Sequence, residues 1–205
     1  MSFKKTLDTL ALGRAPGPRS SFSVFDIIKS LEIIAEKRSV GRGKIAEELC
    51  LGEGTTRTLI NRLTDAGLIV ISKSGCSLTE KGEKIWNELK AILPQKFVIG
   101  KNELTFAACS VALLVKGKGE KVKKGLEQRD AAVAAGAKGA TTFVFKDNRL
   151  TLPMISTDVA KDYPITFNQI IQSTKPEEND VVIISSADHL KTAEYGALAA
   201  AWSLI

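Results

Sequence analysis

Between Leu51 and Ile69 the chain places a glycine turn, a two-faced helix, a glycine stop and a β-branched run. Thr56, Leu59, Ile60 and Leu63 recur at helical spacing and predict one apolar stripe. Arg57, Thr58, Asn61 and Arg62 lie off that stripe, and Thr55 opens the helix. A helix docked by its apolar side therefore turns guanidinium, hydroxyl and amide groups outward. Those groups read base edges and grip phosphates in a DNA major groove. Gly67 suits the helix end, because glycine reaches the left-handed conformation without a Cβ clash. A plain solvated surface explains this helix equally well in isolation, so the flanking sequence has to decide.

Upstream, residues 1–22 read as a flexible arm. Its stretch Gly13-Arg14-Ala15-Pro16-Gly17-Pro18-Arg19-Ser20-Ser21 breaks any helix. Arg14 and Arg19 on such a segment can reach a minor groove, although a poorly ordered terminus is the simpler expectation. From Ser23, a suitable N-cap, an amphipathic helix runs to about Lys37. Val24, Ile27, Ile28, Leu31, Ile34 and Ala35 form its apolar stripe, with Asp26, Lys29, Glu32 and Glu36 opposite. A second helix, from Gly41 or Arg42 to Cys50, turns Ile45, Ala46 and Leu49 inward, and Arg42 and Lys44 join the candidate DNA contacts.

Downstream, Leu68-Ile69-Val70-Ile71-Ser72 and Cys76-Ser77-Leu78 predict a hairpin around Lys73-Ser74-Gly75. Lys73 and Ser74 at its tip are placed for a phosphate. Thr79 then caps a further helix, with Glu80 and Glu83 in the acid-favouring first turn. Ile85, Trp86, Leu89 and Ile92 make its buried face, and Pro94 ends it. Helix, helix, polar helix, hairpin, helix is the order of a winged helix-turn-helix domain, here spanning residues 23–95.

Two motifs carry a family resemblance. Residues 39–69, followed by Leu78-Thr79-Glu80-Lys81-Gly82, resemble winged-helix transcription regulators. The Leu-Thr-x-x-Gly step recurs in regulators of the multiple-antibiotic-resistance type. The full layout also resembles a group of archaeal proteins with a Pro/Gly arm, a winged helix and an uncharacterised C-terminal domain. That domain carries the segment seen here as Gly125-Leu126-Glu127-Gln128-Arg129-Asp130-Ala131-Ala132. The resemblance implies DNA binding for the first half and little chemistry for the second. Thr56 departs from the pattern, standing where such regulators place a hydrophobic residue, which costs core burial and leaves the docking angle of the helix open.

Charge is consistent with that division. The net charge of +6 is concentrated in residues 1–96, which hold 16 Lys and Arg against 11 Asp and Glu. Residues 97–205 hold 13 against 12. A basic half beside a near-neutral one suggests one domain facing a polyanion. The hydrophobic fraction of 44% is that of a globular chain. No run approaches the roughly 18 apolar residues that a membrane span requires. The first residues lack the apolar core of a secretory signal, and Cys50, Cys76 and Cys109 form no CxxC pair. A reducing cytoplasm is the expected setting.

Residues 97–205 read as a separate α+β domain. Leu104 to Val115 predicts a long buried strand or two, Lys121 to Ala135 a small-residue helix, and Asp147-Asn148 a two-residue hairpin turn. A helix around Phe167 to Gln172, a strand from Asp180 to Ser185 and an alanine-rich helix from Ala187 to Trp202 complete it. The loop Lys116 to Gly119, with Lys121, can offer backbone N–H groups to a phosphate but lacks the P-loop pattern. Glu127, Arg129 and Asp130 form a charge cluster that reads as an ion pair or, with Thr141 and Thr142, as a ligand site. His189, the sole histidine, follows Asp188 at a helix start and leaves no nucleophile–base or metal-ligand set in view.

The resulting expectation is a two-domain α+β protein: a cytoplasmic, homodimeric transcription regulator on double-stranded DNA, with no catalytic residues, metal or cofactor. The second half would dimerise or sense an unknown small-molecule effector. Two other classes stay open. One is a small-molecule binder or enzyme with an appended winged helix; the other uses the winged helix for protein–protein contact.

Overall fold

The computed structural model describes residues 2–12 and 21–205, and Arg14 and Arg19 lie outside them. Two compact units result, Met1–Leu89 and Lys90–Ile205, divided inside a helix that the sequence ends at Pro94. The chain is mixed α and β throughout.

The first unit begins with α1 (Phe3–Leu12), where the sequence suggested only an arm. The expectation is corrected by burial: Leu7 is fully enclosed, and the helix packs against α2 (Val24–Lys37). The helix breakers Pro16 and Pro18 fall after this segment, so nothing in it opposes helix formation. Ser23 and Asp26 form a reciprocal capping box at the start of α2. Asp26, expected on the solvated side, is buried there as the acceptor for the Ser23 backbone N–H at 2.7 Å. Next come α3 (Arg42–Leu49), α4 (Glu53–Asp65), the antiparallel pair β1 (Ile69–Ser72) and β2 (Gly75–Leu78), and α5 (Glu80–Ile92). Leu31, Ile34, Ile45, Leu49, Leu59 and Leu63 are wholly buried. Each such side chain contributes about 1.5–3 kcal/mol relative to exposure.

The second unit is a five-stranded antiparallel sheet ordered β3-β4-β7-β5-β6. Its strands are β3 (Gln95–Val98), β4 (Cys109–Val115), β5 (Gly139–Lys146), β6 (Arg149–Thr151) and β7 (Val181–Ala187). The predicted strand from Leu104 shortens to β4, because residues 102–105 close a turn through Asn102 and Thr105. β3 escaped the sequence reading, being a four-residue edge strand, Gln-Lys-Phe-Val, without period-2 alternation. Asp147 and Asn148 both take positive φ, as a two-residue hairpin turn requires. α6 (Leu126–Ala134) and α9 (Leu190–Trp202) pack on one face of the sheet. On the other, α7 (Val159–Asp162) and α8 (Pro164–Thr174) close a core around Phe143, Leu114, Val182 and Ile184. Among the described residues, no helix is long and apolar enough to cross a membrane.

Candidate nucleic-acid interface

α4 is fixed at both ends before its outer face is considered. At its start, Cys50 takes the left-handed conformation and the Leu51 N–H returns to Ala46 O, so the chain turns sharply out of α3. At its end, Gly67 has φ +69°, and the Leu68 N–H closes on Leu63 O. The Lys81 ammonium donates to Ala66 O at 2.7 Å, a cation at a helix C-terminus. The Leu-Thr-x-x-Gly step completes the joint. The Thr79 hydroxyl donates to Gly67 O at 2.6 Å and accepts from the Gly82 N–H at 3.1 Å. A Cβ on Gly82 would stand 2.0 Å from Leu68 O, so only glycine admits this close approach. The motif is thus a clamp between the C-terminal end of α4 and the start of α5.

Held this way, α4 buries Thr56, Leu59, Ile60 and Leu63, as the periodicity predicts. The Thr56 hydroxyl sits in that stripe without penalty because it donates to Gly52 O at 3.1 Å. Arg57, Thr58 and Asn61 are exposed. Arg57 lines an open cleft of about 370 Å³ with Arg42, Gly43, Ala46, Glu53 and Thr56. Neither arginine has an ion pair among the described residues. Thr58 donates its hydrogen to Gly54 O at 3.0 Å, which leaves its oxygen lone pairs for other donors. Thr55 is half-buried and shares a hydrogen bond of 2.9 Å with Ser21.

Arg62 departs from the expectation. Its guanidinium donates to Leu10 O at 2.9 Å and Ala11 O at 3.2 Å, and lies 4.9 Å from the Phe22 ring centroid. It caps the last carbonyls of α1 instead of facing outward, which helical periodicity cannot show because the acceptors lie far away in sequence. Lys44 is exposed but bound to Glu47 at 3.0 Å, with Glu48 at 3.8 Å. The Glu47 hydrogen bond and charge hold its pKa above the ordinary lysine value. Lys73 and Ser74 are exposed at the tip between β1 and β2. That tip is ordered by Ser74 N–H donating to Ser72 Oγ at 3.2 Å and by Ser39 Oγ donating to Ser74 O at 2.8 Å. Glu53, not singled out from the sequence, belongs to the cleft as its acidic wall.

The candidate ligand residues of the second half do not converge. Glu127, Arg129 and Asp130 are exposed on α6, where Arg129 pairs with Asp130 at 2.9 Å. Thr141 and Thr142 are successive strand residues and so point to opposite faces of the sheet. The Lys116–Gly119 loop is occupied by the protein itself. The Gly117 N–H donates to Asp180, the Gly119 N–H to Asn179 O and the Glu120 N–H to Asn179 Oδ1. Lys116 bonds Asp180 and Glu177, which raises its pKa and offsets its charge with two carboxylates. His189 occupies the N-cap of α9, exposed and without a side-chain capping bond.

No protein of curated function matches the chain. Residues 24–84 match the family described as PH0730-like, N-terminal domain, and residues 106–204 match a domain of unknown function (DUF4443). Among solved structures, the chain is similar to the hypothetical protein PH0730 from Pyrococcus horikoshii OT3. The two are 29% identical over 90% of this chain and 93% of that one, with a TM-score of 0.71. The chain is therefore similar, across both of its units, to a two-domain archaeal protein.

Proposed function

We propose that the first unit is a winged helix-turn-helix domain that binds double-stranded DNA through α4, and that the protein is a cytoplasmic transcription regulator acting by binding, not catalysis. The observation that carries this reading is the outer face of α4. Arg57, Thr58 and Asn61 are left to solvent by a helix whose opposite side is fully buried, and Arg42 stands with Arg57 along one cleft. Arginine pairs with guanine edges, asparagine with adenine, and the Glu53 carboxylate suits a cytosine amino group. Lys73 at the β1–β2 tip supplies a backbone contact. The second unit serves in this reading to pair two copies or to receive a small-molecule signal, and paired copies suit a two-fold DNA site.

Fluorescence anisotropy of a labelled random duplex, titrated at several salt concentrations, tests the proposal. Affinity falls steeply with salt, because each phosphate contact releases counterions. Arg57→Ala and Asn61→Ala each weaken selected-site binding by about 1–3 kcal/mol while unfolding unchanged. No measurable duplex binding at low salt, or a salt-insensitive profile, rejects it.

A further inference from the structure

Across one end of the second unit's sheet, three adjacent strands present a row of small side chains. Ser110 on β4 is paired with Ser186 on β7, and Ser186 with Gly139 on β5. All three lie on the face that carries the Phe143 and Ile184 core, two residues beyond its last apolar layer. The Phe106 ring lies over this row. A Cβ on Gly139 would come within 2.9 Å of Phe106 Cζ, so the glycine makes room for the ring. Phe106 is nonetheless 56% exposed, a large apolar surface left uncovered.

Beside the ring opens a cavity of about 520 Å³, lined by Ile99, Lys101, Phe106 and Ser110 among others. Ser110 is 4% exposed and Ser186 fully buried, and their hydroxyl oxygens are 2.8 Å apart. Each hydroxyl has one hydrogen, and their mutual bond uses one of the two. The other finds no acceptor among the described residues, an open donor in a place where buried polar groups are normally satisfied. When Ser186 donates to Ser110, that hydrogen belongs to Ser110, at the cavity wall. Lys101, on the same wall, is exposed and has no ion pair among the described residues.

We propose that this cavity binds a small planar monocarboxylate, with its carboxylate on Lys101 and the Ser110 hydroxyl and its ring along Phe106. One cation and one hydroxyl donor match a single negative charge, and an exposed aromatic face favours an offset-stacked ring. A dianionic phosphate would meet too few donors here.

The test is a two-dimensional amide NMR titration of the full-length protein with benzoate, benzyl alcohol and acetate. Benzoate produces saturable shifts centred on residues 99–110 and on Ser186. Benzyl alcohol, lacking the charge, and acetate, lacking the ring, bind at least tenfold more weakly. Lys101→Ala and Phe106→Ala, both at exposed positions, keep the native spectrum and weaken benzoate about tenfold each, as removal of one favourable interaction implies. The proposal is overturned by the absence of saturable shifts, by shifts centred elsewhere, by equal affinity for either truncated probe, or by unchanged affinity in either variant. The readout concerns the second unit alone, so its outcome and that of the DNA titration are separate.

Discussion

Arg62→Ala discriminates between the two roles that this residue can take, because the roles predict opposite patterns. As a reader of DNA, Arg62 would be dispensable for folding. As placed, it joins α4 to α1 through two charge-assisted hydrogen bonds, to Leu10 O and Ala11 O, and a contact with the Phe22 ring. A hydrogen bond from a charged donor contributes about 1.5 kcal/mol at the low end, which suits a half-exposed group, and the ring contact adds about 0.5–1 kcal/mol. Contacts made by one guanidinium are not additive, so the net loss is about 2–3 kcal/mol. The loss falls first on α1, a ten-residue helix that has little independent stability.

Native-state hydrogen exchange reads that local event directly. The amides from Leu7 to Leu12 should exchange roughly 30- to 150-fold faster in Arg62→Ala, at a factor of ten per 1.4 kcal/mol. Amides in α3 and at the centre of α4 should change far less. Arg62→Lys keeps the charge but not the forked donor geometry, so its effect is intermediate. Arg57→Ala, at an exposed position without an ion pair, serves as the control and stays within about 0.5 kcal/mol of wild type. Unchanged α1 exchange in Arg62→Ala together with a loss of DNA affinity would refute the clamp and restore the outward role.

Three further perturbations follow from single positions. Gly82→Ala forces a Cβ to within 2.0 Å of Leu68 O and should cost about 3 kcal/mol in urea unfolding; a loss below about 0.5 kcal/mol would mean that α5 shifts freely. Cys50→Gly relieves a left-handed residue with φ +49° and should raise stability by about 0.5–1 kcal/mol, whereas a lower urea midpoint would count against strain there. Glu103 caps the start of α8 by accepting from Ile165 N–H, Thr166 N–H and Thr166 Oγ1. Burial pushes its pKa up, but these hydrogen bonds outweigh burial and hold it below the usual carboxylate value. A lowered carboxylate pKa gives stability that is complete above the unfolded value of about 4.3 and lost as pH falls through the folded one. Glu103→Gln should therefore flatten the acid limb of the stability–pH curve, and an unaltered limb would place the acid sensitivity elsewhere.

The parts of the fold that the sequence made legible are those dictated by neighbours in the chain. The helices α2, α4 and α5, the β1–β2 turn, the Ser23 cap and the Asp147-Asn148 hairpin each follow from periodicity or from turn chemistry within a few residues. The misreadings come from side-chain contacts that hydrophobic periodicity does not encode, some local and some distant in sequence. α1 is stabilised by burial against α2, the shortened β4 by a side-chain turn at Asn102, and Asp26 by its cap. Motif reading also detected Gly82 without its reason, which is the Leu68 carbonyl that occupies the space a side chain would need.

The same distinction explains which candidate residues the fold leaves exposed and unpaired. A helical wheel sorts side chains by direction, and direction alone separated the buried stripe of α4 from Arg57, Thr58 and Asn61. It could not separate Arg57 from Arg62, since both lie off the stripe and only the position of α1 tells them apart. Likewise, a count of basic residues credits Lys44 equally with Lys73, although Glu47 and Glu48 offset the first and no ion pair among the described residues engages the second. An interface for a polyanion is therefore defined by the cations that the fold leaves unpaired. On α3, α4 and the β1–β2 tip those are Arg42, Arg57 and Lys73, and charge-removing substitutions there should reduce the salt slope of duplex binding by about 0.9 for each phosphate that is no longer neutralised. Arg62→Ala should leave the slope unchanged.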